Sequence, residues 1–411
     1  MNALLKGTRR HIVFFFALLG PGFITAMVDN DAGGIFTYSE AGALWGYNLL
    51  WTLIPITLAL IVSQEMCSRM GAVTGKGLSD LIREEFGLRT TFIIMVVLLF
   101  VNLANITANF AGIAGSLELF HVSRYISVPI GAALVWLLVV NGTYNSVEKV
   151  FLVASTFYLA YVVSALAVRP DWTRALRATV EPVIIPDAAF FALLVGLVGT
   201  SVAPWMQFYL QAAVVEKGID AKNYRDTRIE VILGCVVMSV IAFFIIVASA
   251  GAIYDKGPRS ITDAAEAAEA LRPLGEFAYI LFAGGLMSAS LFAASILPLS
   301  TAYTVCEGLG FESGVNRRFD EAPTFYWMYT LLIVIGGGLV LIPGLPLVRM
   351  ILFSQVLNGI LLPVILVFTL LLVNRKDLMH EWTNSRLYNA IAGVTVVVMI
   401  ALSLMLAWFS I

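Results

Sequence analysis

The sequence predicts an all-α polytopic membrane protein with about eleven transmembrane helices, the first and sixth of them broken. Of its 411 residues, 60% are hydrophobic and 13% are charged, and the mean hydropathy is +0.90. Long apolar runs alternate with short polar segments, none of them long enough to hold a soluble domain. This pattern excludes an ordinary soluble domain and predicts a single membrane transport domain over residues 1–411.

The predicted helices follow one another along the whole chain. Their cores are placed at 12–45 (broken near 29–34), 47–69, 91–119, 126–142, 147–168, 187–216 (broken near 203–206), 229–254, 274–306, 325–342, 346–373 and 388–410. The first run follows Lys6, Arg9 and Arg10, as a signal peptide would, but Asp29 and Asp31 stand where a small-residue cleavage site would be. We therefore interpret it as the first membrane span.

The break in the first span places two carboxylates in an apolar stretch. Asp29 and Asp31 are followed by Gly33 and Gly34, which weaken a helix. A carboxylate at bilayer depth costs roughly a few kcal/mol and usually marks an ion or substrate pathway. Unwound backbone is tolerated there only where it lines a cavity or is packed in protein. We predict that Asp31 binds a cation, and that Asp29 is either a second ligand or a vestibule residue that attracts cations.

The sixth span is interrupted in a corresponding way. Gly196 and Pro204 break its apolar run, and this span lies an odd number of spans after the first. The two halves of the chain would therefore insert with opposite topology. The pattern predicts inverted five-helix repeats at about 12–168 and 187–373 with an extra helix at about 388–410, and a substrate site near the bilayer midplane.

The charges of the loops indicate orientation and partners. With the N-terminus inside, about two-thirds of the 25 Lys and Arg residues fall in inner segments, which predicts a cytoplasmic N-terminus and an extracellular C-terminus in the plasma membrane. The net charge of −2 and the absence of a long basic run give no sign of a nucleic-acid partner.

Cys67, Cys235 and Cys306 are isolated, so neither a disulfide framework nor a zinc site is predicted. We expect a monomer in the lipid bilayer that needs no cofactor.

Several polar residues inside the spans have two interpretations. Gln207 and Gln355 would supply amide oxygens to an ion or hydrogen bonds between helices. Asn102, Asn105 and Asn109 recur at helical spacing on the third span, so they share one face. That face would line an aqueous path or join neighbouring helices.

Three segments resemble a known family. They are residues 20–47 through the first span, Val73-Thr74-Gly75-Lys76 after the second, and Ser354-Gln355-Val356 with Pro363 in the tenth. Together they resemble the Nramp family of divalent-metal transporters, which share the inverted-repeat architecture of the leucine transporter. The resemblance extends over nearly the whole chain and implies alternating access of a divalent metal ion.

The chain departs from the family at the metal-binding motifs. The family's Asp-Pro-Gly-Asn is Asp31-Ala32-Gly33-Gly34 here, so the acid is kept and the Asn ligand is replaced by Gly34. The family's Met-Pro-His is Ala203-Pro204-Trp205, although a shift of one residue matches Tyr209-Leu210-Gln211 better. The soft thioether ligand is absent in either register.

An all-oxygen, wider site suits a hard ion. Thioethers favour transition metals, whereas carboxylates, carbonyls and water suit Mg²⁺, which dehydrates reluctantly. The sequence therefore resembles the Nramp-related magnesium transporters, and the implied function is transport of partly hydrated Mg²⁺, and also of Mn²⁺. The residues predicted to form the metal site are Asp31, Asp29, Gly34, Ala203, Gln207 and Gln355.

Proton coupling is not expected. The family places acids on the third span and a His on the sixth, but the middle of the third span here offers asparagines, and the three histidines fall at span ends or in loops. Two alternatives stay open: a proton-coupled Mn²⁺/Fe²⁺ symporter of the Nramp type, and an amino-acid symporter of the same fold. An enzyme is not expected, because no nucleophile or metal-ligand spacing is present.

Overall fold

A computed structural model describes residues 25–26, 28–141, 155–314 and 318–409, and these residues form helices joined by short connections, without a strand. The helices are α1 (Ala32–Trp45), α2 (Leu53–Thr74), α3 (Leu78–Glu118), α4 (Arg124–Asn141), α5 (Leu159–Ala167), α6 (Trp172–Ala178), α7 (Ala188–Ser201), α8 (Pro204–Glu216), α9 (Tyr224–Ala252), α10 (Ala264–Ala268), α11 (Ala278–Leu309), α12 (Pro323–Val340), α13 (Leu347–Val373), α14 (Lys376–Met379) and α15 (Arg386–Phe409). Predictions for residues 12–24 and 142–154 fall outside the described residues.

Many of the described helices have the lengths that membrane spans need. Eight described stretches are long and apolar enough to cross a bilayer, with α7 and α8 counted together and α10 and α11 counted together. Two shorter apolar helices cover Arg124–Val140 and Thr156–Ala167. The broken first span contributes α1 in addition. The predicted all-α membrane fold is confirmed.

The first break lies before the glycines, not at them. Ala26 and Val28 are helical, Asp29–Asp31 are not, and α1 begins at Ala32, so Gly33 and Gly34 are already within the new helix. Asp31 caps this helix, with extended backbone angles (φ −69°, ψ −166°) and a side chain that accepts the Gly34 N–H. The expectation that the glycines unwind the helix is wrong, because the aspartate ends one helix and starts the next.

The second break lies between α7 and α8, one residue earlier than predicted. Val202 (φ −126°, ψ 53°) and Ala203 (φ −64°, ψ 137°) leave helical geometry. Pro204 is the first residue of α8, where its missing N–H costs nothing because that group has no partner within the helix.

The helices α7 and α13 cross in direct backbone contact. A Cβ atom placed at Gly199 would lie 2.1 Å from the Gln355 carbonyl oxygen, and one at Gly359 would lie 2.4 Å from the Val195 carbonyl oxygen. Small residues are what permit such an approach between membrane helices. The glycines therefore place the first half of the broken sixth span against the helix that bears Gln355.

Glu65 lies near the inner end of a predicted span, where a solvated or snorkelling position is the sequence-based expectation. The structure instead leaves it only 3% exposed. Its carboxylate accepts hydrogen bonds from the Tyr224 hydroxyl (2.7 Å) and from Arg69 (3.1 Å), and Arg69 also donates to the Asn384 side chain (2.5 Å). A buried charge is tolerated when it is paired and hydrogen-bonded, and this cluster joins α2, α9 and the segment before α15.

Candidate ion-binding site

Asp31 lies at the start of α1 with both carboxylate oxygens held. Oδ1 accepts the Gly34 backbone N–H at 3.0 Å, and Oδ2 accepts Nδ2 of Asn109 in α3 at 2.7 Å. The side chain is almost fully buried, at 7% exposure. An ionised carboxylate has about four acceptor positions, so each oxygen keeps one free for an ion or its water. The residue predicted as the main ligand is therefore oriented by the fold.

Asp29 is buried beside Asp31 and is less well satisfied. It is 3% exposed, and within the described part of the chain its Oδ2 has no hydrogen-bond partner. It lies close enough to Asp31 for the two negative charges to repel each other, and close to Tyr38 and Cys235 as well. Neither carboxylate forms an ion pair with a Lys or Arg among the described residues. The two carboxylates are thus buried side by side without a positively charged side chain paired to them among the described residues.

The two breaks are joined by a direct side-chain contact. The Tyr38 hydroxyl of α1 and the Ser201 hydroxyl at the end of α7 lie 2.7 Å apart. Ala203 is buried in the second break, and Gln207 is buried one turn further, where its Oε1 faces the Thr369 hydroxyl at 3.5 Å. The Nε2 of Gln207 has no partner among the described residues. The structure thus brings the end of α7, next to the sixth-span break, against α1, the helix that Asp31 caps.

Gln355 lies against the start of α1, but its oxygen faces elsewhere. A Cβ atom at Gly33 would be 2.1 Å from Gln355 Nε2, so only a glycine allows this approach. Nε2 donates to Asn105 Oδ1 (3.1 Å), and Oε1 accepts from Asn358 Nδ2 (3.1 Å). As an ion ligand, Gln355 would first have to turn its oxygen away from Asn358.

The asparagines of α3 join helices in this structure. The Nδ2 atoms of Asn102, Asn105 and Asn109 donate to Thr301 (2.8 Å), Asn358 (2.8 Å) and Asp31 (2.7 Å) respectively. The sequence left open whether these asparagines line an aqueous path or join neighbouring helices, and these contacts join helices.

Sequence reasoning missed Tyr158, whose hydroxyl donates to the Asn30 carbonyl oxygen at 2.5 Å. A tyrosine in an apolar run gives no local sign of such a role, because most aromatic residues in membrane helices simply pack.

The site contains few protein ligands. No group of three or more His, Cys, Asp or Glu residues that could hold a metal is present among the described residues, and the three cysteines are free and buried. The candidate donors gathered at the breaks are a pair of carboxylates with neutral amide and hydroxyl groups around them.

Comparison with known proteins decides the family. A family model described as Natural resistance-associated macrophage protein-like (Nramp) matches residues 22–409. This chain belongs to the Nramp family. The Nramp protein is similar to the divalent metal cation transporter MntH of Deinococcus radiodurans, with 26% identity over 98% of this chain and 91% of the relative. MntH of Burkholderia ambifaria is 24% identical over 99% of this chain and 92% of the relative.

Solved structures share the fold of this Nramp protein. The crystal structure of the Eremococcus coleocola manganese transporter in complex with an aromatic bis-isothiourea compound has a TM-score of 0.74 at 19% identity, covering 95% of this chain and 87% of that one. MhsT in complex with L-phenylalanine has a TM-score of 0.62 at 13% identity, covering 94% and 98%. At these identities the likeness concerns the fold alone.

The Nramp protein is expected to tolerate an asparagine poorly at position 34, where the resemblance to the family's Asp-Pro-Gly-Asn motif implies one. A Cβ atom at Gly34 would lie 2.5 Å from the Asp29 carbonyl oxygen, a backbone atom that cannot move without shifting the break. Gly34→Asn should therefore lower the thermal unfolding midpoint and divalent-metal uptake, and should not create a carrier that prefers transition metals. The steric contribution to the loss of stability is measured by comparing Gly34→Ala with Gly393→Ala, because a Cβ at Gly393 meets no atom within 4 Å. A stable Gly34→Asn protein that prefers Cd²⁺ would contradict this account.

Proposed function

We propose that this Nramp protein is a divalent metal ion transporter that works by alternating access, favours Mg²⁺ and also carries Mn²⁺. The observation that supports it best is the pair of buried carboxylates, Asp29 and Asp31, at a helix break with no Lys or Arg ion-paired to either among the described residues. Uncompensated acids at membrane depth indicate a cation pathway. The similarity to relatives named as divalent metal cation transporters supports the same class of substrate for this chain.

The donor chemistry favours a hard, partly hydrated ion. The resemblance places a thioether at Ala203 or, in the other register, at Pro204, and neither residue has a sulfur, so oxygen atoms are the proposed ligands. Asp31 is the proposed direct ligand. The Asn30 side chain and Gln207 Nε2 are buried without partners among the described residues, and would bind the ion's waters together with Asp29. In this proposal the Gly34 N–H orients Asp31, and Gln355 joins the ion only after turning its oxygen.

The proposed transport is not coupled to protons. Asn102, Asn105 and Asn109 are neutral amides that hydrogen-bond to other helices, and a neutral amide cannot relay a proton by changing its charge. An inside-negative potential of 100 mV supplies ~4.6 kcal/mol for a divalent ion, twice the value for one charge. This potential is sufficient to drive influx. We also propose a monomer in the plasma membrane with a cytoplasmic N-terminus.

A proton-coupled Mn²⁺ symporter is the second candidate, favoured by the manganese transporter that shares the fold. The amino-acid symporter reading has one supporting observation, the likeness to MhsT bound to L-phenylalanine. It conflicts with the site, because two buried carboxylates would repel a substrate carboxylate.

Metal uptake into proteoliposomes tests the proposal directly. With the membrane potential clamped and a pH dye inside, we expect saturable uptake of Mg²⁺ and Mn²⁺ without metal-dependent acidification. The protein-free liposome and the Asp31→Ala protein serve as controls, and Ca²⁺ is compared in parallel. A reproducible pH drop with metal influx would favour the symporter, and leucine uptake without metal uptake would favour the amino-acid carrier.

A further inference from the structure

We propose that Asn109 of α3 and Tyr158 before α5 are positioning residues that hold the unwound segment of the first span in its ion-binding conformation. The proposal rests on the proposed role of Asp31 as the ion ligand. It assigns to two residues, neither of them an ion ligand, the task of fixing where that carboxylate points.

The two residues hydrogen-bond to three consecutive residues, the last two of the break and the first of α1. The Tyr158 hydroxyl donates to the Asn30 carbonyl oxygen at 2.5 Å. Asn109 donates from Nδ2 to Asp31 Oδ2 at 2.7 Å and accepts the Ala32 backbone N–H on Oδ1 at 3.4 Å. The segment is thus held from two helices that lie outside the broken one.

The orientation of the Asn109 amide is fixed from its own helix. Its Nδ2 also donates to the Asn105 carbonyl oxygen at 3.0 Å, while its Oδ1 accepts from Ala32. The Nδ2 donor therefore points at the Asp31 carboxylate. If the amide rotated by 180°, it would lose the hydrogen bonds of both Nδ2 and Oδ1. Asn109 and Tyr158 are both buried, so water is not at hand to replace them.

The break makes these bonds necessary. Unwinding frees backbone carbonyl and N–H groups that a continuous helix would pair, and an unpaired polar group in an apolar interior is costly. Tyr158 satisfies the freed carbonyl of Asn30, and Asn109 satisfies the first N–H of α1. The same bonds leave the segment one orientation instead of several.

The consequence for the ion comes through Asp31. Hydrogen bonds to a ligating carboxylate fix its direction and its basicity, and the loss of such a partner typically costs 10–100-fold in metal affinity. Without Asn109, Asp31 Oδ2 would be free to rotate away from the ion position. Without Tyr158, the Asn30 carbonyl would be free to turn toward the ion or toward a water.

The chain offers a matched control for each residue. Asn102 is a buried asparagine on the same helix that donates to Thr301, away from the break. Tyr161 is a buried tyrosine on the same helical segment as Tyr158, and its hydroxyl lies near Ser39. Each control removes the same chemical group from a similarly buried place.

The test compares Asn109→Ala with Asn102→Ala, and Tyr158→Phe with Tyr161→Phe. Mg²⁺ uptake kinetics and calorimetric Mg²⁺ binding are measured together with the thermal unfolding midpoint. We expect Asn109→Ala to raise KM and Kd about 10–100-fold, and Tyr158→Phe to change them in the same direction. Both controls should keep KM near the wild-type value. Asn102→Ala should lower the unfolding midpoint about as much as Asn109→Ala does, whereas Tyr161→Phe should leave the midpoint near the wild-type value, because the Tyr161 hydroxyl has no hydrogen-bond partner among the described residues.

Equal shifts of KM in test and control variants would show a merely structural role and overturn the proposal. If Asn109→Ala cannot be extracted, Asn109→Ser, which is too short to bridge to Asp31, gives the same comparison with Asn102→Ser. Asp31→Ala distinguishes a failure of the proposed ion ligand from a failure of the proposed positioning role. Wild-type uptake in Asp31→Ala would contradict the proposed role of Asp31 as the ion ligand. An inactive Asp31→Ala together with a normal Asn109→Ala would contradict only the positioning role.

Discussion

Asp31→Ala is expected to abolish saturable Mg²⁺ uptake and to leave a folded, extractable protein. The substitution removes the proposed ligand, so the loss should exceed the roughly 100-fold upper range seen when only a ligand's supporting partner is lost. The variant loses the helix cap on the Gly34 N–H, worth typically about 1 kcal/mol, and the bond from Asn109. It also removes a buried carboxylate that has no ion-pair partner among the described residues, which offsets this cost. Uptake is measured in proteoliposomes, and folding by size-exclusion chromatography and thermal unfolding.

The control for the lost cap is Asp187→Ala. Asp187 caps α7 by accepting the N–H groups of Ala189 and Phe190, in the same manner as Asp31 caps α1, but it lies at the exposed start of that helix. We expect this variant to transport normally. Asp29→Asn should have an intermediate effect, mainly a higher KM, because the proposed role of Asp29 is to attract cations and bind their water. Normal uptake by Asp31→Ala would exclude the carboxylate from the mechanism.

Gly199→Ala is expected to cause the second large loss, in stability and uptake together. The added Cβ would lie 2.1 Å from the Gln355 carbonyl oxygen and 2.4 Å from the Gly359 backbone nitrogen. Backbone atoms of two packed helices cannot yield as a flexible side chain does, so we expect a cost at or above the ~1–3 kcal/mol typical of overpacking. The separation of α7 from α13 would also move Gln355 relative to the break.

A suitable control is Gly338→Ala in α12, where an added Cβ meets no atom within 4 Å. Thermal unfolding of the purified protein in detergent and Mg²⁺ uptake measure the two effects. Gly338→Ala should match the wild type in both. A Gly199→Ala protein with the wild-type unfolding midpoint would show that the two helices separate at little cost, and that their close crossing is not required.

The last two membrane helices could be predicted closely because their signal is local. The predicted core 346–373 corresponds to Leu347–Val373, and 388–410 corresponds to Arg386–Phe409. A run of apolar residues is buried by the bilayer whatever its neighbours are, so its length alone determines a span. Pro204 marked the second break for a similar reason, since its ring and missing N–H are properties of the residue itself.

The position of the first break could not be predicted exactly. Gly33 and Gly34 suggested unwinding at the glycines, whereas the helix restarts at Ala32. The helix restarts there because the Asp31 side chain and Asn109 both satisfy the first N–H groups of α1. One of these partners is close in sequence and visible as a capping pattern, and the other is not.

By itself, the sequence determined that this protein is an Nramp-like bundle of membrane helices with two breaks and an uncompensated acid at the first. Only the tertiary structure decided how the acid is held. Asp31 and Asn109 are 78 residues apart in the chain, and Gln355 and Asn105 are 250 apart. Hydrogen bonds act over about 3 Å in space, so a local pattern of residue types shows that a polar side chain needs a partner but not which partner it finds.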